Sequence, residues 1–423
     1  MTYEVTTHPE EGWPLISRLI VEATLATAAN PTPALWRVIT KMAYFAGLIG
    51  TFGGGMLMIF VIRPVLHRHS ADPLHRAALE RRAAAFLAIV GTWFLAALYF
   101  QIAGKAARAK GREVPYGEAL DPGVIWNYLR TPAAPGEWVS SGTLTLVQYV
   151  LWAVSALLLM MLWSPRRQAR LFQITAGALT LAFVAHQVTL IPTAFGGLTL
   201  HSQVDIVLNH LHVFAVSTWV GGIVGLVVLA AAGRRHRSAD VARIWARLWN
   251  RFSTLALAAV GGVLISGLYL AWMNVGDPGQ LFTTSYGHFL LLKVSLVATM
   301  IVTGALNELV LVPRIAKARA AGREGSAFRL ALRTVPALVS FEVALAVCVL
   351  FVLTFLTGSA REEVGEAEPS LDGGVITAGV IIVAMLAISL VTAAKVTDRL
   401  SAGLDDEPSE QECAMADDHA RQL

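Results

Sequence analysis

"IVLNHLHVFAVSTWVGGIVGLVVLAA", residues 206–231, runs for 26 residues without one Asp, Glu, Lys or Arg. A helix rises 1.5 Å per residue, so this stretch outreaches the roughly 30 Å hydrocarbon core of a bilayer. Its apolar residues are continuous rather than alternating, which fits a spanning helix and not a barrel strand. Inside it stand Asn209, His210, His212 and Trp219, followed by the pair Gly221 and Gly222. An ionisable side chain at this depth costs about 2.5 kcal/mol or more on insertion scales, so the two histidines ask for a function.

Runs of the same kind recur on both sides. Hydropathy predicts nine spans, at about 38–62, 83–103, 143–163, 171–191, 206–231, 252–274, 287–312, 333–357 and 375–395. The composition agrees: 55% of residues are hydrophobic, 15% are charged, and the mean hydropathy is +0.59. Soluble domains carry about 25% charged residues. The fold class is therefore all-α, a polytopic helical membrane protein. Only two cysteines, Cys348 and Cys413, occur in the chain, too few for a disulfide scaffold or a cysteine-rich metal site. The net charge of +4 resides at helix ends and is no nucleic-acid signal.

Loop charges orient the spans. "RPVLHRHSADPLHRAALERR" (63–82), "SPRRQAR" (164–170), "GRRHRSADVARIWARLWNR" (233–251) and "PRIAKARAAGREGSAFRLALR" (313–333) are basic. The alternate loops "PTAFGGLTLHSQVD" (192–205) and "NVGDPGQLFTTSY" (274–286) hold no Lys or Arg, and "GSAREEVGEAEPSLDGG" (358–374) is acidic. The positive-inside rule then places the N-terminus outside and the C-terminus in the cytoplasm. One loop, 104–142, breaks the pattern: it lies outside yet carries Lys105, Arg108, Lys110 and Arg112. The expected organisation is an interfacial outer segment over 1–37, a three-helix part over 38–163 and a second membrane unit over 164–357. An acidic outer loop with the ninth span follows over 358–395, then an acidic cytoplasmic tail over 396–423. The acidic start "MTYEVTTHPEEGW" leads us to expect no cleavable signal peptide.

With this orientation the membrane histidines share one level, the outer leaflet. His186 ends the fourth span, His210 and His212 open the fifth, and His288 and Lys293 open the seventh, while Met273 closes the sixth. His201 and Asp205 fall in the outer loop just above. Residues two apart on a helix point roughly 200° apart, so His210 and His212 face different neighbours. His212 shares its face with Trp219 and is the inward candidate; His210 is a rim residue or a second ligand. Gly221 and Gly222 let another helix approach closely. In the seventh span Tyr286, Lys293, Met300 and Asn307 recur every seven residues as a stripe, and Glu342 is a buried acid in the eighth.

Imidazole suits copper, zinc and iron, and thioether adds a preference for Cu(I). Two histidines from facing helices would also suit axial ligation of haem b, which stays a competitor. No Walker A, zinc-protease or nucleophile-elbow sequence is present, and the chain is read as a carrier rather than an enzyme.

These residues resemble the copper-resistance protein D (CopD/PcoD) family of bacterial inner-membrane proteins. The likeness rests on "AHQ" (185–187), "LHVFAVSTWVGG" (211–222), "RFSTLALAAVGGVLISGLYLAW" (251–272), "SYGHFLLLKVSLVATMIVTGALNELVLVP" (285–313) and "RTVPALVSFEVALAVCVLFVLTFLT" (333–357). It covers about residues 170–357. The resemblance implies copper transport, homeostasis or resistance at the plasma membrane, often beside a periplasmic CopC-type copper-binding partner. Asn209 stands where the family pattern leads one to expect an aspartate, with Asp205 one turn earlier. The expected ligands are His186 and His212, completed by His210, His288 or Met273. Asp205, Lys293, Met300, Asn307, Glu342 and Trp219 would support the site or a path inward. Alternatives are a haem-binding membrane oxidoreductase, a copper-delivery factor for a terminal oxidase, and a structural membrane subunit.

Overall fold

The computed structural model describes residues 33–68, 73–109, 113–194, 200–233, 239–306 and 335–366, with separate helical residues between 373 and 392. Every regular element among these is helical. Eight long helices order the chain: α1 (Leu35–Met56), α2 (Pro73–Ala106), α3 (Ser141–Met160), α4 (Leu171–Gln187), α5 (Leu200–Gly233), α6 (Ala239–Asn274), α7 (Ser285–Leu306) and α8 (Val335–Leu353). Seven of them are long and apolar enough to cross a membrane, and α8 contains a shorter apolar stretch, Ser340–Leu353. The protein is an all-α, multi-pass membrane protein. Helices cover the first six predicted spans to within a residue, and residues 287–306 of the seventh. Residues 1–32, Asn307, most of the predicted ninth span and the tail 396–423 lie outside the described residues.

Several helices begin well before the predicted spans. The fifth starts at Leu200 rather than 206, and the sixth at Ala239 rather than 252. A hydropathy window measures the greasy part of a helix, whereas the helix continues until something breaks it. No proline stands between 200 and 273 to do so. His201 and Asp205 therefore ride on the first turns of α5 instead of in a loop.

Helices α1 and α5 form the centre, the two most buried of the seven spans. They cross backbone to backbone. A Cβ added at Gly221 would run into the Ile49 carbonyl and the Cα of Gly53, and one at Gly53 would overlap Gly221 and the Ser217 carbonyl. The neighbouring Gly222 makes room instead for the Phe252 ring of α6. Each glycine of the pair thus admits a different helix, as small residues do where lipid offers no hydrophobic drive to association. Above the crossing, Phe52, Phe94 and Trp152 are fully buried and meet edge to face.

Past Met56, α1 widens into a π segment over Leu57–Ile62 before resuming over Arg63–Arg68. Pro64 explains this: it has no N–H to offer the carbonyl of Phe60 four residues earlier. Arg251 of α6 takes that carbonyl instead, its Nε donating at 2.6 Å.

At the opposite end the loop after α2 folds into a cap. Its short helices Tyr116–Ala119 and Pro122–Leu129 lie against α2, the second capped by the Asp121 carboxylate at 2.8 Å from the Gly123 N–H. Tyr116 stacks on Trp36 with ring centroids 4.3 Å apart. Trp138 ties the cap to the loop after α4, its indole donating to the Pro192 carbonyl at 2.9 Å. Beside it, the Ala134 N–H and the Thr193 hydroxyl hold the Glu137 carboxyl below the usual carboxylate range.

Candidate metal site

His212 sits on the side of α5 that faces α6. Its Nδ1 lies 3.1 Å from the Ser266 hydroxyl. That hydroxyl has one proton and spends it on the Gly262 carbonyl at 2.5 Å. Ser266 is thus placed to accept from His212, and the Val263 carbonyl is within the ring's reach too, an arrangement that favours the proton on Nδ1 and the lone pair on Nε2. This is the tautomer a metal ligand needs. Ser266 has no exposed surface, and Gly267 beside it gives the ring room, since a Cβ there would come 3.4 Å from Cε1. Lys293 of α7 lies within electrostatic reach of His212.

His210 faces the other way, as the two-residue spacing requires. Its ring lies 4.3 Å from that of His186, centroid to centroid, tilted by 47°. Both of its nitrogens have neighbours: Nδ1 is 2.7 Å from the Ile206 carbonyl, and Nε2 is 2.6 Å from the Thr189 hydroxyl and 3.0 Å from the His186 carbonyl. His210 is thus a clasp between α5 and the end of α4. The His186 ring is wedged against Phe52 and Trp152, and its Nε2 is buried without a partner. The expectation that His186 and His212 share one ion meets a correction here. His186 pairs with His210 on one side of α5, while His212 meets Ser266 on the other. Among the described residues no three His, Cys, Asp or Glu side chains are grouped so as to hold a metal ion.

The remaining candidates fall into two sets. His201, Asp205 and His212 lie on one stripe of α5, at spacings of four and seven residues, and lead from the helix start down to Ser266. Tyr269 of α6 is within electrostatic reach of Asp205. His288 is exposed and turned away, its Nε2 bonded to the Phe282 carbonyl at 2.8 Å. Met273, half-buried, lies near the end of α6, two turns beyond Ser266. Trp219 is a core residue, 7% exposed, among the side chains packed between α1 and α5. On α7, Met300 is buried two turns beyond Lys293, and Gly304 one turn further adjoins Glu342 of α8. One oxygen of Glu342 is buried without a partner. Lys293, Met300 and Glu342 therefore succeed one another along the α7 side of the bundle.

Sequence reasoning named His212 but missed Ser266, the residue that sets its tautomer. The signal was there in Gly262 and Ser266, four apart and small, a helix-contact pattern. It also missed Thr189 and the pairing of His186 with His210, for which spacing within the sequence carries no sign.

A family model described as Copper resistance protein D matches residues 246–356. The copper transport protein CutJ of Bacillus subtilis (strain 168) is 32% identical over 197 residues, which cover 46% of this chain and 34% of that protein. The inner membrane protein YebZ of Escherichia coli (strain K12) is 34% identical over 198 residues, covering 45% of this chain and 59% of that protein. The chain thus matches about a third of the one relative's length and under two thirds of the other's. No solved structure matches it. The likeness extends to location, an inner membrane crossed several times. Ser266, Lys293, Met300 and Glu342 all fall inside the stretch 246–356, which is similar throughout to the copper-resistance protein D family.

Proposed function

We propose that this protein handles copper as cargo, accepting it where α5 begins and passing it inward between α5, α6 and α7. One observation supports the reading: His212 is half-buried in a helix interface with its Nδ1 held between the Ser266 hydroxyl and the Val263 carbonyl, which favours the lone pair on Nε2. Copper is the cargo favoured by the family match, which contains every residue that lines this side of α5 except those of α5 itself. CutJ, similar over 46% of this chain, bears the name of a copper transport protein.

In this mechanism His201 and Asp205 form the entrance and His212 the first ligand inside it. The Lys293 ammonium beside His212 opposes a second cation, so the ion is held weakly enough to move on; conduction needs binding that also permits leaving. Met300 supplies a soft thioether two turns inward, and Glu342 an oxygen beyond it. Nothing in the chain couples this movement to nucleotide hydrolysis. A CopC-type protein is the donor we assign outside.

Haem b is the rival cargo or cofactor. The His186 and His210 rings lie against each other and so would not hold one haem between them. The test is elemental analysis of the detergent-purified chain for copper and iron. Copper retained by the wild type and lost in His212→Ala, with an unchanged melting temperature, is the expected result. Iron near one per chain with a Soret band, or full copper retention in His212→Ala, would overturn the reading.

A further inference from the structure

Two of the basic residues that break the charge pattern of loop 104–142, the half-buried Lys105 and the exposed Arg108, lie beside other cations. Lys105 and Arg108 close the end of α2, and Arg37 and Lys41 open α1 beside them. Lys41 is within electrostatic reach of both Arg37 and Arg108, and Lys105 of Arg108. Four cations are thus gathered at the end of the bundle that loop charges place outside. Like charges repel, and a fold brings them together only where something offsets the repulsion. The protein's own groups offer little. The Lys41 ammonium donates to the Leu353 carbonyl at the end of α8, 3.3 Å away. Arg108 donates its Nε to the Gly104 carbonyl of its own helix at 2.9 Å. Lys105 lies over the Tyr149 ring, 5.4 Å from its centroid. Among the described residues none of the four forms an ion pair with a carboxylate.

The surroundings supply still more donors. The hydroxyls of Tyr128, from the cap, and Tyr149, from α3, stand within electrostatic reach of Arg108, and that of Tyr44 within reach of Tyr149. No acceptor is recorded for any of the three hydroxyls among the described residues. Two guanidinium groups, two ammonium groups and three phenols therefore converge on one place with almost nothing to receive their protons. Such a place recognises an anion with several oxygens, and a guanidinium matches two of them at once. The aromatic pair Trp36 and Tyr116 adjoins it, in the position of the aromatic belts that mark the headgroup level.

We infer that Arg37, Lys41, Lys105 and Arg108 form a binding site for a phosphate-bearing anion at the outer headgroup level. The inference does not depend on the copper reading, although Lys41 is within electrostatic reach of Lys293, the neighbour of His212. Clusters of Lys and Arg at this depth attract anionic lipid at about one order of magnitude or less per charge.

The test uses the full chain in detergent and in nanodiscs. Native mass spectrometry measures binding of phosphatidylglycerol against phosphatidylcholine, and thermal melting is followed with and without millimolar inorganic phosphate. The wild type should bind phosphatidylglycerol at least about tenfold better than the triple variant Arg37→Gln, Lys105→Gln, Arg108→Gln. Lys105→Arg, which keeps the charge, should bind like the wild type, and the triple variant should melt cooperatively without phosphate, so its loss of binding is not mistaken for misfolding. A response to the lipid alone identifies a headgroup site; protection by inorganic phosphate as well identifies a general phosphate site. Equal lipid binding by the wild type and the triple variant, with no effect of phosphate on melting, would overturn the inference.

Discussion

Replacing Ser266 with alanine removes one oxygen, and its consequences can be followed atom by atom. In the wild type that oxygen receives the Nδ1 proton of His212 and passes its own proton to Gly262. In Ser266→Ala the Nδ1 proton loses its hydroxyl acceptor and keeps only the Val263 carbonyl within reach, and Ser266 is fully buried, so no water takes its place. A buried donor left unpaired costs about 1–3 kcal/mol. The ring avoids that cost by moving its proton to Nε2, the nitrogen a metal would occupy. Copper must then bind against the preferred tautomer. Loss of such an orienting partner lowers metal affinity by about 10–100-fold, or roughly 1.4–2.7 kcal/mol. The room beside Gly267 lets the ring shift slightly and argues for the lower half of that span. The assay is copper titration of purified protein against a chromogenic chelator. Thr303→Ala, which removes a hydroxyl bonded only within α7, is the control and should stay within about threefold of the wild type. If Ser266→Ala also stays within threefold while His212→Ala loses copper, the tautomer argument fails. If neither loses copper, the ion does not use His212.

Three further outcomes follow from the fold. Gly221→Ala should destabilise the protein by about 1–3 kcal/mol through overlap with Ile49, outweighing the better helix propensity of alanine. Gly177→Ala, whose Cβ meets only Leu158 at 3.7 Å, should melt at the wild-type temperature or above; equal melting of both variants would refute the close crossing. Arg251→Met should cost about 1 kcal/mol by freeing the Phe60 carbonyl and loosen the π segment, seen as faster amide exchange at residues 57–62; unchanged exchange would show that Arg251 does not cap it. The Glu137 carboxyl is held below its ordinary value of 4.5, so the stability it gives is complete above that pH and fades as pH falls through its own lower value. The Ala134 amide should therefore lose exchange protection in acid, and Glu137→Gln should abolish that pH dependence; protection that persists at pH 3 counts against the contact.

The bundle could be read from the sequence because hydrocarbon imposes one requirement everywhere: a backbone bonded to itself and about 20 apolar residues. Seven spans obeyed it within the ends. The opposed directions of His210 and His212, and the close approach at Gly221 and Gly222, followed from helix geometry alone. What stayed hidden was which neighbour each face meets. Ser266 is 54 residues from His212 and His186 is 24 from His210, and no periodicity links residues on separate helices. His186 and His212 looked like partners because they share a depth, but depth fixes only one of three coordinates. Lys105 and Arg108 of loop 104–142 looked like exceptions to a rule about topology, whereas the fold draws them together with Arg37 and Lys41.

The backbone contact between Gly53 and Gly221 also sets a schedule for synthesis. α1 is made before its partner α5, which follows about 170 residues later, roughly 10–30 s at ordinary elongation rates. During that interval the groove at Gly53 has only lipid against it. α2 emerges next and grips the same helix elsewhere, its Phe94, Val90 and Leu87 seated over Gly47, Gly50 and Gly54. The first hairpin can thus assemble at once while leaving the α5 face open, so the newborn protein holds its central seat vacant until the histidine helix arrives to fill it.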